Sequence, residues 1–166
     1  MENILGIDES GKGDFFGPLV IAGVLADKSG GEKLTRAGVR DSKKIADNKI
    51  IELSGWISAN FIHSVVSIGP EKYNQLYNQI NNLNKLLAWG HVRAESITQV
   101  AAASILARAA FLRQMEKLSA LYAMVLPKGA GDLVDKAAAI FVRKYGMDAL
   151  SKVAKVHFKN YKKIAK

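Results

Sequence analysis

The feature that most constrains this chain is how it starts: an apolar run, Ile4-Leu5-Gly6-Ile7, ends on two adjacent carboxylates, Asp8 and Glu9. A glycine-rich connection, Ser10 to Gly17, then separates it from a second apolar run, Pro18 to Ala26. Two such runs around a short loop read as the paired strands of a hairpin. Like charges at the end of a buried strand raise each other's pKa, and a divalent cation is their natural compensation. In an extended chain Asp8 and Glu9 point to opposite faces, so one ion takes one side chain directly and reaches the other by a bend or a second ion. An acid pair hydrated in a turn is the alternative reading. Gly11 and Gly13, around Lys12, let backbone amides approach a phosphate or sugar closely. Known glycine motifs fit poorly. The spacing Gly13-x3-Gly17-Pro18 breaks a Walker A pattern, and a dinucleotide fingerprint needs a helix where residues 18–26 read as a strand.

The chain has 166 residues, 49% hydrophobic and 23% charged, which suits one domain over residues 1–166 with a proper core. It holds no apolar run long enough to span a membrane and opens without a signal-peptide pattern, so a cytoplasmic protein with no membrane contact is expected. The absence of cysteine excludes disulfides, thiolate zinc sites and cysteine nucleophiles. His63, His91 and His157 have no zinc-ligand spacing, so any metal is held mainly by oxygen. Lys and Arg number 24 against 15 Asp and Glu, and the net charge of +9 favours a polyanionic partner. Residues 152–166 carry six lysines and no acid, interleaved with Phe158 and Tyr161. They read as a phosphate-contacting segment or as a frayed basic tail.

Residues 27–38 read as turn-rich, and Asp41-Ser42-Lys43-Lys44 as an N-cap region feeding a helix with Ile45, Ile50, Ile51, Leu53 and Ile57. The spacing predicts a strand over 61–68, stopped by Gly69-Pro70, and a helix over 71–94. A long helix from Ile97 to Leu121, rich in alanine, is expected to be central, with the Ser104 hydroxyl bonded to a carbonyl one turn back. A loop at 128–132, a helix over 133–145 ended by Gly146, and a short helix over 148–153 complete the chain. Strands first and helices later indicate α+β or mixed α/β.

Several segments, in order along nearly the whole chain, resemble one family. They are Asp8 to Pro18, Asp41-Ser42-Lys43-Lys44, Ile68 to Asn74, Asn84 to His91, Val100 to Arg108, Leu126 to Ala130 and Val153 to Asn160. Together they are similar to type 2 ribonuclease H, in its ribonuclease HIII branch. The resemblance implies an α/β ribonuclease H-like fold, a mixed sheet flanked by helices. It implies an endonuclease that cuts the RNA strand of RNA/DNA hybrids, leaves 5′-phosphate and 3′-hydroxyl ends and uses two Mg²⁺ or Mn²⁺ ions; no protein partner is implied, and a monomer is expected. Asp8 and Glu9 match the first two metal-binding carboxylates, and Glu95 stands where the fourth is expected. Ser10, Gly11, Lys12 and Gly13 match the segment that grips the sugar-phosphate and senses the 2′-hydroxyl. Apart from the resemblance, Ser42, Lys43 and Lys128 read as contacts to backbone phosphates, with a merely solvated role the alternative for each lysine.

The chain departs from the family pattern twice. The motif starts at residue 8, where ribonuclease HIII proteins carry a preceding hybrid-binding domain, so affinity is expected to come from the catalytic unit and its basic segment. His91 and Glu95 are four residues apart, which leaves no room for the strand that bears the third catalytic aspartate. The fold is therefore expected to be short by one strand. Asp132, Asp135 and Asp148 are the acids available as substitutes, and capping or surface roles compete for each. Two other functions remain open: a catalytically impaired hybrid-binding protein of the same fold, and a nucleotide-binding protein that uses the glycine loop.

Overall fold

A computed structural model describes residues 3–82 and 97–164. They form β1 (Ile4–Ser10), β2 (Leu19–Ala26), α1 (Lys28–Arg36), a 3-10 turn (Ser42–Lys44), α2 (Asp47–Asn60), β3 (Ile62–Ile68), α3 (Pro70–Ile80), α4 (Ile97–Leu121), α5 (Asp132–Val153) and α6 (Lys159–Ile164). These elements divide into two compact units. One holds β1, β2 from Val20, α1, α2, β3 to Ser67 and α4 to Leu112. The other holds residues 11–19, α3, α4 from Arg113, α5 and α6.

In the first unit β1 and β2 run antiparallel, in register from Ile4 opposite Ala26 to Ser10 opposite Val20, which is the expected hairpin. The sheet order is β1-β2-β3, and among the described residues the sheet is antiparallel rather than mixed. Strand β2 alternates: Val20, Ala22, Val24 and Ala26 are buried while Ile21, Gly23 and Leu25 are half-buried. Strand β3 is exposed along almost its whole length, Ile62 and Val66 included. The small residues of α4 serve close packing: Ala102, Ala103, Ala107 and Ala109 are all fully buried. Gly6 is the tightest point of this unit. A Cβ there would lie 2.1 Å from the Gln99 carbonyl carbon, so the first turn of α4 rests directly on the β1 backbone. Gln99, itself buried, donates its side-chain amide to the Ala26 carbonyl at 3.3 Å. Arg108 adds an ion pair to Asp47 of α2 at 2.9 Å.

The segment 27–38 is corrected by the structure: it is largely a helix, not a string of turns. Asp27 caps α1 by accepting the Gly30 amide at 2.7 Å, and that hydrogen bond, with one from Ser29, holds its carboxyl below the usual carboxylate range. The glycines that suggest turns have another cause. At Gly30 a Cβ would come within 2.9 Å of the Ala26 Cβ and 3.1 Å of the Phe61 ring, so only glycine lets the helix approach so closely. Ser104 is a second correction. Its hydroxyl donates to the Ser42 hydroxyl at 2.5 Å, because a buried side chain beside another polar group finds a partner across the packing interface.

In the second unit α3 packs on α5, and α5 on α6. Pro70 sits in the first turn of α3, where its missing amide costs nothing. The helix ends at Asn81, in left-handed conformation with φ of 45°, so it is shorter than the expected 71–94. The rest of that expected helix, with Trp89 and His91, lies outside the described residues. Gly146, with φ of 84°, breaks α5 into the two helical pieces the sequence predicts. Tyr122 packs between Phe141 and Tyr145 and accepts a hydrogen bond at its carbonyl from the Tyr145 hydroxyl.

Residues 152–164 are no frayed tail: Val153, Ala154, Lys155 and Asn160 are buried, and Lys159–Ile164 is helical. Apolar positions inside the lysine run anchor it. Asn74 of α3 ties this stretch down, donating to the carbonyls of Ser151 and Ala154, both at 2.9 Å, and accepting the Val156 amide at 3.1 Å. Asn74→Ala strands these three partners and is expected to cost about 2 kcal/mol, read as a fall in Tm of ~4–8 °C by calorimetry.

Candidate active site: an acid pair and a clamped glycine turn

In the first unit, Asp8, Glu9 and Ser10 are the last three residues of β1, opposite Ala22, Ile21 and Val20. Asp8 and Glu9 are half-buried. Alternation along the strand puts Asp8 on the same face as Gly6, the face on which the first turn of α4 rests, and Glu9 on the other. The Asp8 carboxylate accepts the Glu9 amide at 2.8 Å, which fixes its orientation relative to the backbone. Half-buried carboxylate oxygens suit a hard divalent cation, and the pair fits such an ion in kind. Among the described residues no three Asp, Glu or His side chains converge on one point. Glu95, the third expected carboxylate, lies outside the described residues, two positions before Ile97.

The 3-10 turn belongs to the same unit. Asp41 accepts the Lys43 amide at 3.0 Å, Ser42 is buried with its hydroxyl bonded to Ser104 of α4, and Lys43 is exposed. Ser42 therefore faces the protein interior and fixes the turn that presents Lys43.

In the second unit the glycine turn is built from Gly11, in left-handed conformation with φ of 85°, and an Asp14 amide that reaches back to the Gly11 carbonyl at 3.3 Å. Lys12 and Gly13 stand at its tip, Lys12 exposed. A Cβ on Gly13 would meet nothing within 4 Å, so open space lies over that backbone. Residues 14–17, just past the tip, are tied down from several sides. The Phe15 amide donates to the Gly129 carbonyl at 2.8 Å, and the Gly129 amide donates to the Asp14 carboxylate at 2.6 Å. The structure thus joins the turn bearing Lys12 to the loop bearing Lys128. The Gly17 amide donates to the Val153 carbonyl, and the Lys155 amide donates to the Phe15 carbonyl, both at 2.9 Å. Asn160 holds the other side of the 128–131 loop, donating to the Ala130 carbonyl at 2.9 Å.

Sequence reasoning misses Lys155, Asn74 and Asn160 as parts of this assembly. A signal is present for Lys155: it is a lone charge between Val153-Ala154 and Val156, where a run of purely solvated lysines would not place apolar neighbours on both sides. Of the acids considered as substitutes, Asp135 is already engaged by Lys163 at 2.6 Å and Asn160 at 2.5 Å, and the Lys163 hydrogen bond holds its carboxyl below the usual range.

The family model described as Ribonuclease HII matches this chain in two pieces, residues 5–96 and 90–161. Ribonuclease HIII of Protochlamydia amoebophila (strain UWE25) is 38% identical over 198 residues, covering 93% of this chain and 66% of the relative. Ribonuclease HIII of Chlamydia pneumoniae is 38% identical over 206 residues, covering 96% and 69%. The crystal structure of Bst-RNase HIII in complex with Mn²⁺ superposes with a TM-score of 0.90 at 31% identity, covering 98% of this chain and 69% of that one. The chain spans about two thirds of the length of the curated relatives it matches. An alignment of 198 positions also exceeds the 166 residues available, so at least 32 positions of the relative face no residue here. The two matched pieces overlap at residues 90–96, the interval that holds His91 and Glu95. By matched motifs, matched fold and identity over nearly all its residues, this chain belongs to the type 2 ribonuclease H family, on its ribonuclease HIII branch.

Proposed function

We propose that this chain is a metal-dependent endonuclease that cleaves the RNA strand of RNA/DNA hybrids and leaves 5′-phosphate and 3′-hydroxyl ends. The observation that carries the reading is the position of the Asp8-Glu9 pair, at the end of a strand on which the first turn of α4 rests, in a chain of ribonuclease HIII descent. Asp8 and Glu9 hold the ions, with Glu95, two residues ahead of α4, as the third carboxylate. When bound, divalent ions activate the attacking water and stabilise the leaving oxygen. The solved Mn²⁺ complex of Bst-RNase HIII supports Mn²⁺ as one usable ion, and Mg²⁺ has the same oxygen preference.

The rest is done by the chain's own groups. Ser10 and the amides of Gly11, Lys12 and Gly13 grip the scissile ribonucleotide, where open space over Gly13 leaves room for a sugar. Lys12, Lys43 and Lys128 neutralise backbone phosphates, and the solvent-facing lysines of residues 152–164 extend that contact. The family's third aspartate has no counterpart after His91, so the ions are held by fewer oxygens and turnover is expected to be about 10- to 100-fold below that of a complete site.

A labelled RNA/DNA hybrid with Mn²⁺ or Mg²⁺ tests the reading. RNA fragments with 5′-phosphate ends are expected, with the DNA strand and a DNA duplex left intact. The two-piece family match favours one second reading, a hybrid binder with an incomplete metal site. That protein retains hybrid in chelator and cuts nothing in either metal. In both readings, raising salt from 50 to 200 mM is expected to weaken binding by ~10-fold or more in a filter-retention assay.

A further inference from the structure

Lys155 is the one charged side chain among the largest fully buried residues of the described chain. Its ammonium donates to the carbonyls of Asp14 at 2.8 Å and Gly17 at 2.7 Å, which bracket the segment just past the glycine turn. The Tyr73 ring lies near it, with the ammonium 5.6 Å from the ring centroid. An isolated buried cation is among the most destabilising groups a fold can carry, and an apolar residue of similar volume would remove that penalty. Burial pushes the Lys155 ammonium down to about 7, against the opposing influence of Asp14. Its location points to what the charge maintains. Both carbonyls belong to an irregular loop, and two hydrogen bonds from one ammonium hold them at a fixed separation.

We propose that Lys155 is a positioning residue for catalysis: its buried ammonium clamps the Asp14 and Gly17 carbonyls and thereby holds the Lys12-Gly13 tip in the conformation that grips the sugar-phosphate. This rests on the nuclease reading above. The backbone of the tip must be placed to within a fraction of an ångström to orient a scissile ribonucleotide, whereas overall affinity for a polyanion comes from exposed lysines that Lys155 does not hold. Loss of the clamp therefore acts on turnover more than on binding.

The experiment compares Lys155→Met with the wild-type chain, by steady-state cleavage of a labelled hybrid in Mn²⁺ and by amide hydrogen exchange. The expected result is a fall in kcat of at least tenfold with KM within threefold. The amides of Phe15 and Gly17 should exchange at least tenfold faster, while those in the middle of α3 and α5 keep their protection. A folded variant with unchanged kcat, or exchange that rises evenly across the second unit, overturns the proposal and leaves the nuclease reading standing. A wild-type chain that cuts no hybrid overturns the nuclease reading and takes this one with it. If methionine prevents folding, Lys155→Gln, which keeps one uncharged donor, is measured in the same way. Wild-type Phe15 and Gly17 amides that exchange as freely as unstructured chain overturn the proposal without any variant.

Discussion

Asp8→Asn is expected to lower hybrid cleavage by at least ~100-fold in either metal, while hybrid binding in chelator stays within about twofold. The substitution keeps the size of the side chain and an oxygen able to accept the Glu9 amide, so the end of β1 should survive. What it removes is the negative charge that binds a hard cation, and with few carboxylates in the site each one carries a large share of the metal affinity. Measuring cleavage across a Mn²⁺ titration separates the two ways of losing rate. Activity recovered at high Mn²⁺ means weakened metal binding, and activity lost at every concentration means that the ion binds but is misplaced. Full activity of Asp8→Asn in both metals would remove the acid pair from the mechanism.

The largest effect on stability is expected at Gly6. A Cβ there would sit 2.1 Å from the Gln99 carbonyl carbon, 2.3 Å from the Val100 nitrogen and 2.4 Å from the Gln99 oxygen. All three are backbone atoms, so no side-chain rotation relieves the overlap, and α4 has to lift away from β1. Gly6→Ala is expected to cost about 3 kcal/mol or more, a Tm lowered by ~6–12 °C. The displacement also acts on function, because the same contact sets α4 against the face that carries Asp8. Soluble Gly6→Ala protein should therefore lose cleavage activity even well below its Tm. Gly23, on the neighbouring strand, is the control: a Cβ there meets the nearest atom at 3.4 Å, an ordinary contact, and Gly23→Ala should change little.

Much of the fold is legible in the sequence, for identifiable reasons. The hairpin of β1 and β2 follows from two apolar runs around a glycine-rich loop, and α4 from an alanine-rich stretch with one continuous apolar stripe. The break at Gly146 follows from the habit of glycine to adopt positive φ at helix ends. Helix α1 does not, because Gly30 and Gly31 read locally as turn signals. The reason for Gly30 is tertiary, a close approach to Ala26 and Phe61 that no local pattern reveals. The Ser42–Ser104 hydrogen bond joins residues 62 apart and is invisible for the same reason.

The candidate site divides along the same line. Asp8, Glu9 and the glycine turn are consecutive, so their chemistry can be read directly. The clamp of Gly129, Val153 and Lys155 on that turn joins distant segments, and in the sequence its most important member is one lysine among many. By charge alone the lysine run reads as a solvated segment, whereas its structure is decided by Val153, Ala154 and Val156 between the charges.

That clamp also bears on the order in which the protein is made. Asp14 and Gly17 are synthesised early, yet their partners lie 115, 138 and 141 positions further along the chain, at Gly129 and Lys155. A growing polypeptide on the ribosome thus displays its acidic strand long before the adjoining turn acquires a shape. The clamp on the turn therefore cannot close until Lys155 has been made, and closing so long a loop carries an entropic cost that local contacts do not.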